Sequence, residues 1–302
     1  MRRLPTLPAT AFVLAATAAA AQNATPARDL FGAAATPAPM NTMAIGGYSA
    51  GCLAGGAELA ADGPNWQAMR PARNRAFGHT DTIALIERLS ADAARIAGWP
   101  GLLVGDISQP RGGPAAGGHV SHQTGLDVDI WFMPMPDYRL STAERTNLSA
   151  ISLLRPGTLE VDPARWDDRL PGLLRIAATD PAVARIFVHP GIKARLCEVA
   201  GADSVWLRTI RPWYGHEYHF HVRLACPEGE ATCIPQDPIP EGDGCGAELA
   251  WWLGPEPWQP ADPPTPPAAP LTLADLPPAC ATVLAAGGAP VVDPPLPRIP
   301  PR

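Results

Sequence analysis

The sequence predicts an α+β fold: a small antiparallel sheet bearing a metal site in its groove, flanked by helices and wrapped by long disulfide-tied loops. Three observations carry this. In residues 118–131, GHVSHQTGLDVDIW, Leu126, Val128 and Ile130 alternate with Asp127, Asp129 and Trp131, which is the period of a strand with an oily face and a carboxylate face. In residues 215–222, GHEYHFHV, Tyr218, Phe220 and Val222 alternate with Glu217, His219 and His221, so two imidazoles project from one side of a second strand. The third observation is six cysteines in a chain that opens like an exported protein.

Those two polar strand faces can converge on one ion. His122 and Asp129, with six residues between them, together with His221 would supply two nitrogens and one oxygen and leave a fourth position for water, the open arrangement of a catalytic zinc site. Five of the seven histidines fall in these two stretches, where a solvated strand face would more often carry Lys, Thr or Glu. Zinc is favoured because nothing in the sequence suggests oxidative chemistry, although two histidines and one carboxylate also describe an iron triad. Zinc there would bring the pKa of water toward ~7. A neighbouring base must then take a proton and later return one to the leaving amine.

His219 is the first candidate for that base because it shares the face of His221; Glu217, on the same face, is the second. His216 and His119 would complete the polar wall, either in proton transfer or as support for the ligands. Asp106, Gln123 and Asp127 are close enough in sequence to orient ligands or meet substrate. Trp131 and Trp213 could line a peptide groove or simply pack in the core. His79 and His189 stand alone, one before a helix and one before Pro190, and read as caps or surface residues. Arg70, Arg73 and Arg75 read as a solvated loop with salt bridges, the sharper alternative being an arginine that meets a substrate carboxylate.

In chain order, residues 1–21 form a signal peptide: Arg2 and Arg3 give a positive start, Ala11 to Ala20 an apolar run, and Ala19-Ala20-Ala21 a small-residue cleavage site. That run is too short to span ~30 Å of hydrocarbon, and no later stretch is long and uninterrupted enough for a transmembrane helix. Residues 22–45, rich in Ala, Thr and Pro, read as a mobile lead, with order beginning near Gly46. Ile83, Ile86, Leu89, Ala93 and Ile96 predict a helix from Thr80 to Gly98, capped by Thr80 or Asp81. Gly101 to Ile107 reads as a short apolar strand. The loop from Gln109 to Gly118 lacks the spacing of a phosphate loop and precedes a strand, so its glycines serve backbone bending.

Residues 136–180 predict helices and loops between two halves of the sheet. Arg185 to Val188 reads as a buried strand and Pro190 to Ala200 as a helix with proline in its first turn. After Cys245, several tryptophans stand beside a dense run of prolines, assigned to a covering loop over 254–270 and a Pro-rich tail over 291–302. One domain, 46–290, fits best because the two metal stretches must meet. With 46% hydrophobic residues the chain can bury a generous core, and a net charge of −6 with 17% charged residues argues against a nucleic-acid partner. An even cysteine count reads as three disulfides, with fifteen connectivities open.

The pattern His-x6-Asp followed by His-x-His resembles the zinc peptidases that group lysostaphin, D-alanyl-D-alanine peptidases and hedgehog-type domains. GDISQPRGGPAAGGHVSHQTGLDVDIWF and RPWYGHEYHFHVRLACP are closer still to the penicillin-insensitive murein endopeptidases, and GCLAGGAELAADGPNWQAMRPARNRAFGH and LPPACATVLAA extend the similarity over most of the mature chain. The resemblance implies a periplasmic zinc metallopeptidase that cuts D-alanyl to meso-diaminopimelyl cross-links of peptidoglycan and is insensitive to β-lactams; the sequence likewise lacks S-x-x-K with its companion motifs. It implies His219 in the catalytic place and the disulfides Cys52–Cys280, Cys197–Cys245 and Cys226–Cys233. Related carboxypeptidases carry a glutamate three residues before the last zinc histidine, where this chain has Tyr218. A D,D-carboxypeptidase and a non-catalytic zinc or wall-binding protein remain as alternatives.

Overall fold

The structure, a computed structural model, describes residues 25–117, 119–260 and 268–287. The expected signal peptide, the centre of the covering loop and the Pro-rich tail lie outside them. Eleven strands are described: β1 (Met43–Gly47), β2 (Ala50–Ala54), β3 (Ala57–Glu58), β4 (Asp62–Gly63), β5 (Trp66–Ala68), β6 (Phe77–Gly78), β7 (Leu102–Val104), β8 (Asp127–Pro134), β9 (Val183–Val188), β10 (Ile210–Pro212) and β11 (His219–Leu224). The described α-helices are α1 (Ala27–Gly32), α2 (Thr80–Asp92), α3 (Thr142–Asn147), α4 (Leu170–Thr179), α5 (Pro190–Ala200), α6 (Ala247–Leu253) and α7 (Ala279–Ala285).

Helices and sheet are mixed as the sequence predicts, but the main sheet is larger than a small antiparallel one. Seven strands lie in the order β10-β9-β11-β8-β7-β5-β4. Its centre is antiparallel, whereas β10 with β9 and β5 with β7 run parallel. The reason lies in the connections: α5 returns the chain from β9 to β10, and α2 does so between β5 and β7, and parallel neighbours need such a crossover. Both helices are legible in the sequence; their role as crossovers is not.

One sheet face makes the core. Val104, Val128, Ile130, Ile186, Val188, Phe220 and Val222 pack against Leu85, Ile86 and Leu89 of α2 and Leu173, Leu174 and Ala177 of α4. The α2 cap is His79, whose side chain accepts from the Asp81 N–H, rather than Thr80 or Asp81. The helix stays α only to Asp92; Ala93–Ala97 form a π-turn, Gly98 stops it at φ 69°, and Ile96 is left 56% exposed. His189 likewise caps α5, accepting from the Gly191 N–H.

Order begins before Gly46. Within the expected lead, α1 buries Ala27 and Phe31, and β1 pairs with β2. Phe31 accounts for this: it joins Ile45, Cys52, Leu276, Cys280 and Val283 in a second apolar cluster that clasps the N-terminal segment to α7. A single aromatic in an Ala/Pro-rich stretch leaves no period to read. Gly113, at φ 73°, packs against that ring, and a Cβ there would come within 2.2 Å of it.

All six cysteines are bonded, as Cys52–Cys280, Cys197–Cys245 and Cys226–Cys233. The first ties β2 to α7 across 228 residues of chain. Closing so long a loop restricts the unfolded chain most, so Cys52→Ser with Cys280→Ser should lower unfolding free energy by about 2–5 kcal/mol in denaturant titration. Loss of the seven-residue Cys226–Cys233 loop should cost less.

Candidate metal centre

On the other face of the sheet, pairing of β11 with β8 sets His221 opposite Asp129, Arg223 opposite Asp127 and His219 opposite Trp131. Strand periodicity therefore delivers His219, His221 and Arg223 to the same side as both aspartates. His122 arrives from the loop before β8 with φ 68°, a left-handed conformation rare outside glycine. Two bonds hold it there: its N–H donates to Asp127 Oδ2 at 2.9 Å, and its ring Nδ1–H donates to the Ile107 carbonyl at 2.6 Å. The second bond fixes the tautomer and leaves Nε2 as a lone-pair donor.

That nitrogen faces Asp129. His122 Nε2 lies 3.4 Å from Asp129 Oδ1, His221 Nδ1 3.3 Å from the same oxygen, and His219 Nε2 3.4 Å from it. His122 Nε2 and Asp129 Oδ1 are fully buried and lack a hydrogen-bond partner. Such orphaned groups are rare in a folded interior and point to a missing ligand. Around an ion with bonds of 2.0–2.2 Å in tetrahedral array, neighbouring donors stand roughly 3.3–3.5 Å apart, which these separations match.

A second grouping overlaps this one. Ligand atoms of His119, His122 and Asp129 all lie within 4.8 Å of one another, enough to hold a metal ion. His119 Nε2, however, is 3.7 Å from Asp129 Oδ2 and only 3.0 Å from Asp106 Oδ2, to which it donates. That bond leaves His119 Nδ1 as its lone-pair nitrogen, just as the Nε2 bond to Asp127 leaves Nδ1 of His221, which lies 3.3 Å from Asp129 Oδ1.

Asp127 organises the donors from behind. Wholly buried, it accepts from His221 Nε2 at 2.8 Å, from Arg223 Nε at 2.7 Å and from the His122 N–H. Burial alone would raise its pKa, but Arg223 and His221 hold it below the usual carboxylate range. The same contacts oppose the burial that would otherwise depress His221, and its pKa is raised. Asp129 follows the same logic: burial acts upward, and His219 and His122 bring it well below the ordinary value. Asp106 accepts from Arg73 at 3.0 Å and Arg75 at 2.8 Å besides His119, and is also held low against the effect of its burial.

A cleft of about 380 Å³ opens onto these groups, lined by His119, His216, His219, His221, Phe187 and Trp213 among others. His219 is pushed down in pKa, chiefly by burial. His216 donates from Nδ1 to the Tyr214 carbonyl at 2.6 Å, and burial with the neighbouring His221 and His219 brings it down to about 3. Both rings are therefore neutral at physiological pH. Glu217 precedes β11, interacts with the Tyr218 side chain and does not line the cleft.

The tryptophans divide. Trp213 is half exposed in the cleft, but Trp131 is not a groove residue: it is 6% exposed and packs with Met69, Leu103, Met135 and Leu140. Gln123 is buried, accepting from the Gly51 N–H and donating to the Ser49 and Val120 carbonyls, so it positions the loop. Arg73 and Arg75 form the salt bridges expected of the early loop, both with Asp106, and through it they reach His119. Arg223 also belongs to the site, and its signal in the sequence is that it continues the alternation of His219 and His221.

The site is thus a buried His/His/Asp cluster, fit to hold a metal ion, at the floor of a histidine-lined cleft. The family described as penicillin-insensitive murein endopeptidase matches residues 44–285. Proteins of that name from Yersinia enterocolitica and Klebsiella pneumoniae are 43% identical over 236 residues and 42% identical over 244. The first alignment spans 76% of this chain and 85% of the relative, the second 81% and 86%. One from Salmonella typhi is 43% identical over 237 residues, 76% of this chain and 86% of the relative. The chain belongs to the penicillin-insensitive murein endopeptidase family.

Proposed function

We propose that this chain is a zinc-dependent D,D-endopeptidase of the periplasm that hydrolyses D-alanyl to meso-diaminopimelyl cross-links of peptidoglycan. The observation that carries the reading is the pair of buried, unpartnered atoms, His122 Nε2 and Asp129 Oδ1, with His221 Nδ1 turned on the same oxygen. His122, Asp129 and His221 would hold the ion, the Ile107 carbonyl and Asp127 leaving His122 Nε2 and His221 Nδ1 as the ring nitrogens without a proton to give. When bound, zinc supplies Lewis acidity, which acidifies water and polarises the scissile carbonyl.

The chain's own residues do the rest. His219 faces the cleft as a neutral imidazole and takes the proton, then returns it to the leaving amine. His216, neutral and with its Nδ1–H given to the Tyr214 carbonyl, keeps Nε2 as a lone-pair acceptor in the cleft wall, placed to receive a hydrogen bond from a substrate N–H or from water. His119 is oriented by Asp106 and closes the wall. No serine nucleophile takes part, hence the insensitivity to β-lactams. The signal peptide at 1–21 and three disulfides support an oxidising, extracytoplasmic location, and among the described residues no helix is long and apolar enough to cross a membrane.

Purified cross-linked peptidoglycan should be digested by zinc-loaded protein, with chelated protein and His122→Ala alongside, and the products separated by chromatography and mass spectrometry. Cross-linked dimers should fall to monomers only with loaded wild type. Pentapeptides losing one alanine would instead identify a carboxypeptidase, and unchanged dimers with zinc bound a non-catalytic protein.

A further inference from the structure

Beside the cleft, five aromatic rings form one continuous surface. Trp252 is its buried hub at 6% exposure, while Trp213, Tyr214, Trp251 and Trp258 around it are 39–50% exposed. Ring centroids step from Trp213 to Trp252 at 5.8 Å, from Tyr214 to Trp252 at 4.7 Å and from Trp252 to Trp251 at 5.1 Å, with Tyr214 5.2 Å from Trp258. Exposed aromatic area of this extent is uncommon on a water-soluble surface and marks an interaction site.

The rings are held rigid before any ligand arrives. Trp258 Nε1–H donates to the Trp252 carbonyl at 3.0 Å, and the Tyr214 hydroxyl donates to the Pro257 carbonyl at 2.7 Å. Cys197–Cys245 anchors the chain just before α6, and Arg211 pairs with Glu248 inside it. Preorganised aromatics bind at little conformational cost.

We propose that this surface is a binding platform for the glycan strand of peptidoglycan, taking the C–H faces of successive pyranose rings against its aromatic rings; it rests on the murein reading above. Continuity argues for the occupant. Trp213 and Tyr214 belong both to the platform and to the cleft wall, so a ligand on the platform runs directly into the peptide site. In peptidoglycan the peptide hangs from the sugar, and three or four extended residues reach roughly 10–14 Å, the scale of two or three ring steps. Charge argues against an anionic lipid surface, because Glu248 and Glu256 lie in the elements that carry the tryptophans and Arg211 is paired with Glu248. An aromatic face with hydrogen-bonding edges suits a polar but uncharged polymer.

The test uses the whole mature protein and two substrates. Binding is measured on glycan strands freed of peptides by an amidase, with the lactyl carboxylates this exposes capped as amides so that the strand stays uncharged, and hydrolysis on a sugar-free cross-linked peptide dimer. Wild type should bind the strands. Trp251→Ala and Trp258→Ala should each weaken that binding about tenfold, Trp251→Phe and Trp258→Phe should restore most of it, and hydrolysis of the sugar-free dimer should not change. Strands that fail to bind wild type, or bind the alanine variants equally well, would overturn the platform. So would binding to anionic vesicles in place of glycan, or concentration-dependent self-association lost in the alanine variants. Failure of the sugar-free hydrolysis in wild type would strike the catalytic reading instead, leaving the glycan measurement to stand by itself.

Discussion

Replacing His219 by alanine should lower kcat on cross-linked substrate by about 10²–10⁴-fold while leaving metal content unchanged. The expectation combines position and protonation. His219 lies in the cleft, 3.4 Å from Asp129 Oδ1 and partly open to solvent, whereas His122 and His221 are buried and pinned by Ile107 and Asp127, so its loss removes a proton carrier without dismantling the cluster. Burial lowers its pKa, which keeps it an acceptor at neutral pH. KM should move little, because the group acts in the transition state rather than in ground-state binding. Added imidazole should restore part of the rate. Glu217→Ala supplies the contrast: with its carboxylate engaged by Tyr218 outside the cleft, it should cost far less than His219→Ala. Equal losses with metal retained would transfer the base to Glu217.

How far the site was legible follows from which periodicity carried each residue. Asp127, Asp129, His219 and His221 were readable because strand alternation puts them on defined faces, and pairing of β8 with β11 needed only that those faces meet. The scaffolding behind them was not readable in the same way. Asp106 and His119 lie in the long β7–β8 connection and Arg73 and Arg75 in the β5–β6 one, and no period connects the two. His122 depends on a left-handed backbone that the sequence of a loop does not announce. Trp131 alternates with the aspartates yet is buried in its own apolar cluster, since a strand position fixes the face but not what covers it. The parallel edges and the clasp by Phe31 reflect long-range packing, which local pattern does not encode.

Asp127 is where stability and chemistry meet, and Asp127→Asn separates them. The change is nearly isosteric but leaves the Arg223 guanidinium buried without a counter-charge and weakens the bond that orients His221. Breaking a buried pair in this way should cost about 3–5 kcal/mol, or on the order of 10 °C in Tm for a domain of this size. Zinc affinity should fall 10–100-fold, measured by competition with a chelator. The pH dependence gives the sign. Because the folded-state pKa of Asp127 lies below its unfolded value of about 3.9, its contribution is complete above pH ~4 and disappears as pH falls through the folded pKa. The stability gap between wild type and Asp127→Asn should therefore be widest near neutrality and narrow on acidification toward pH ~2. A gap independent of pH would mean that packing around the side chain, rather than its charge, holds Arg223 and His221 in place.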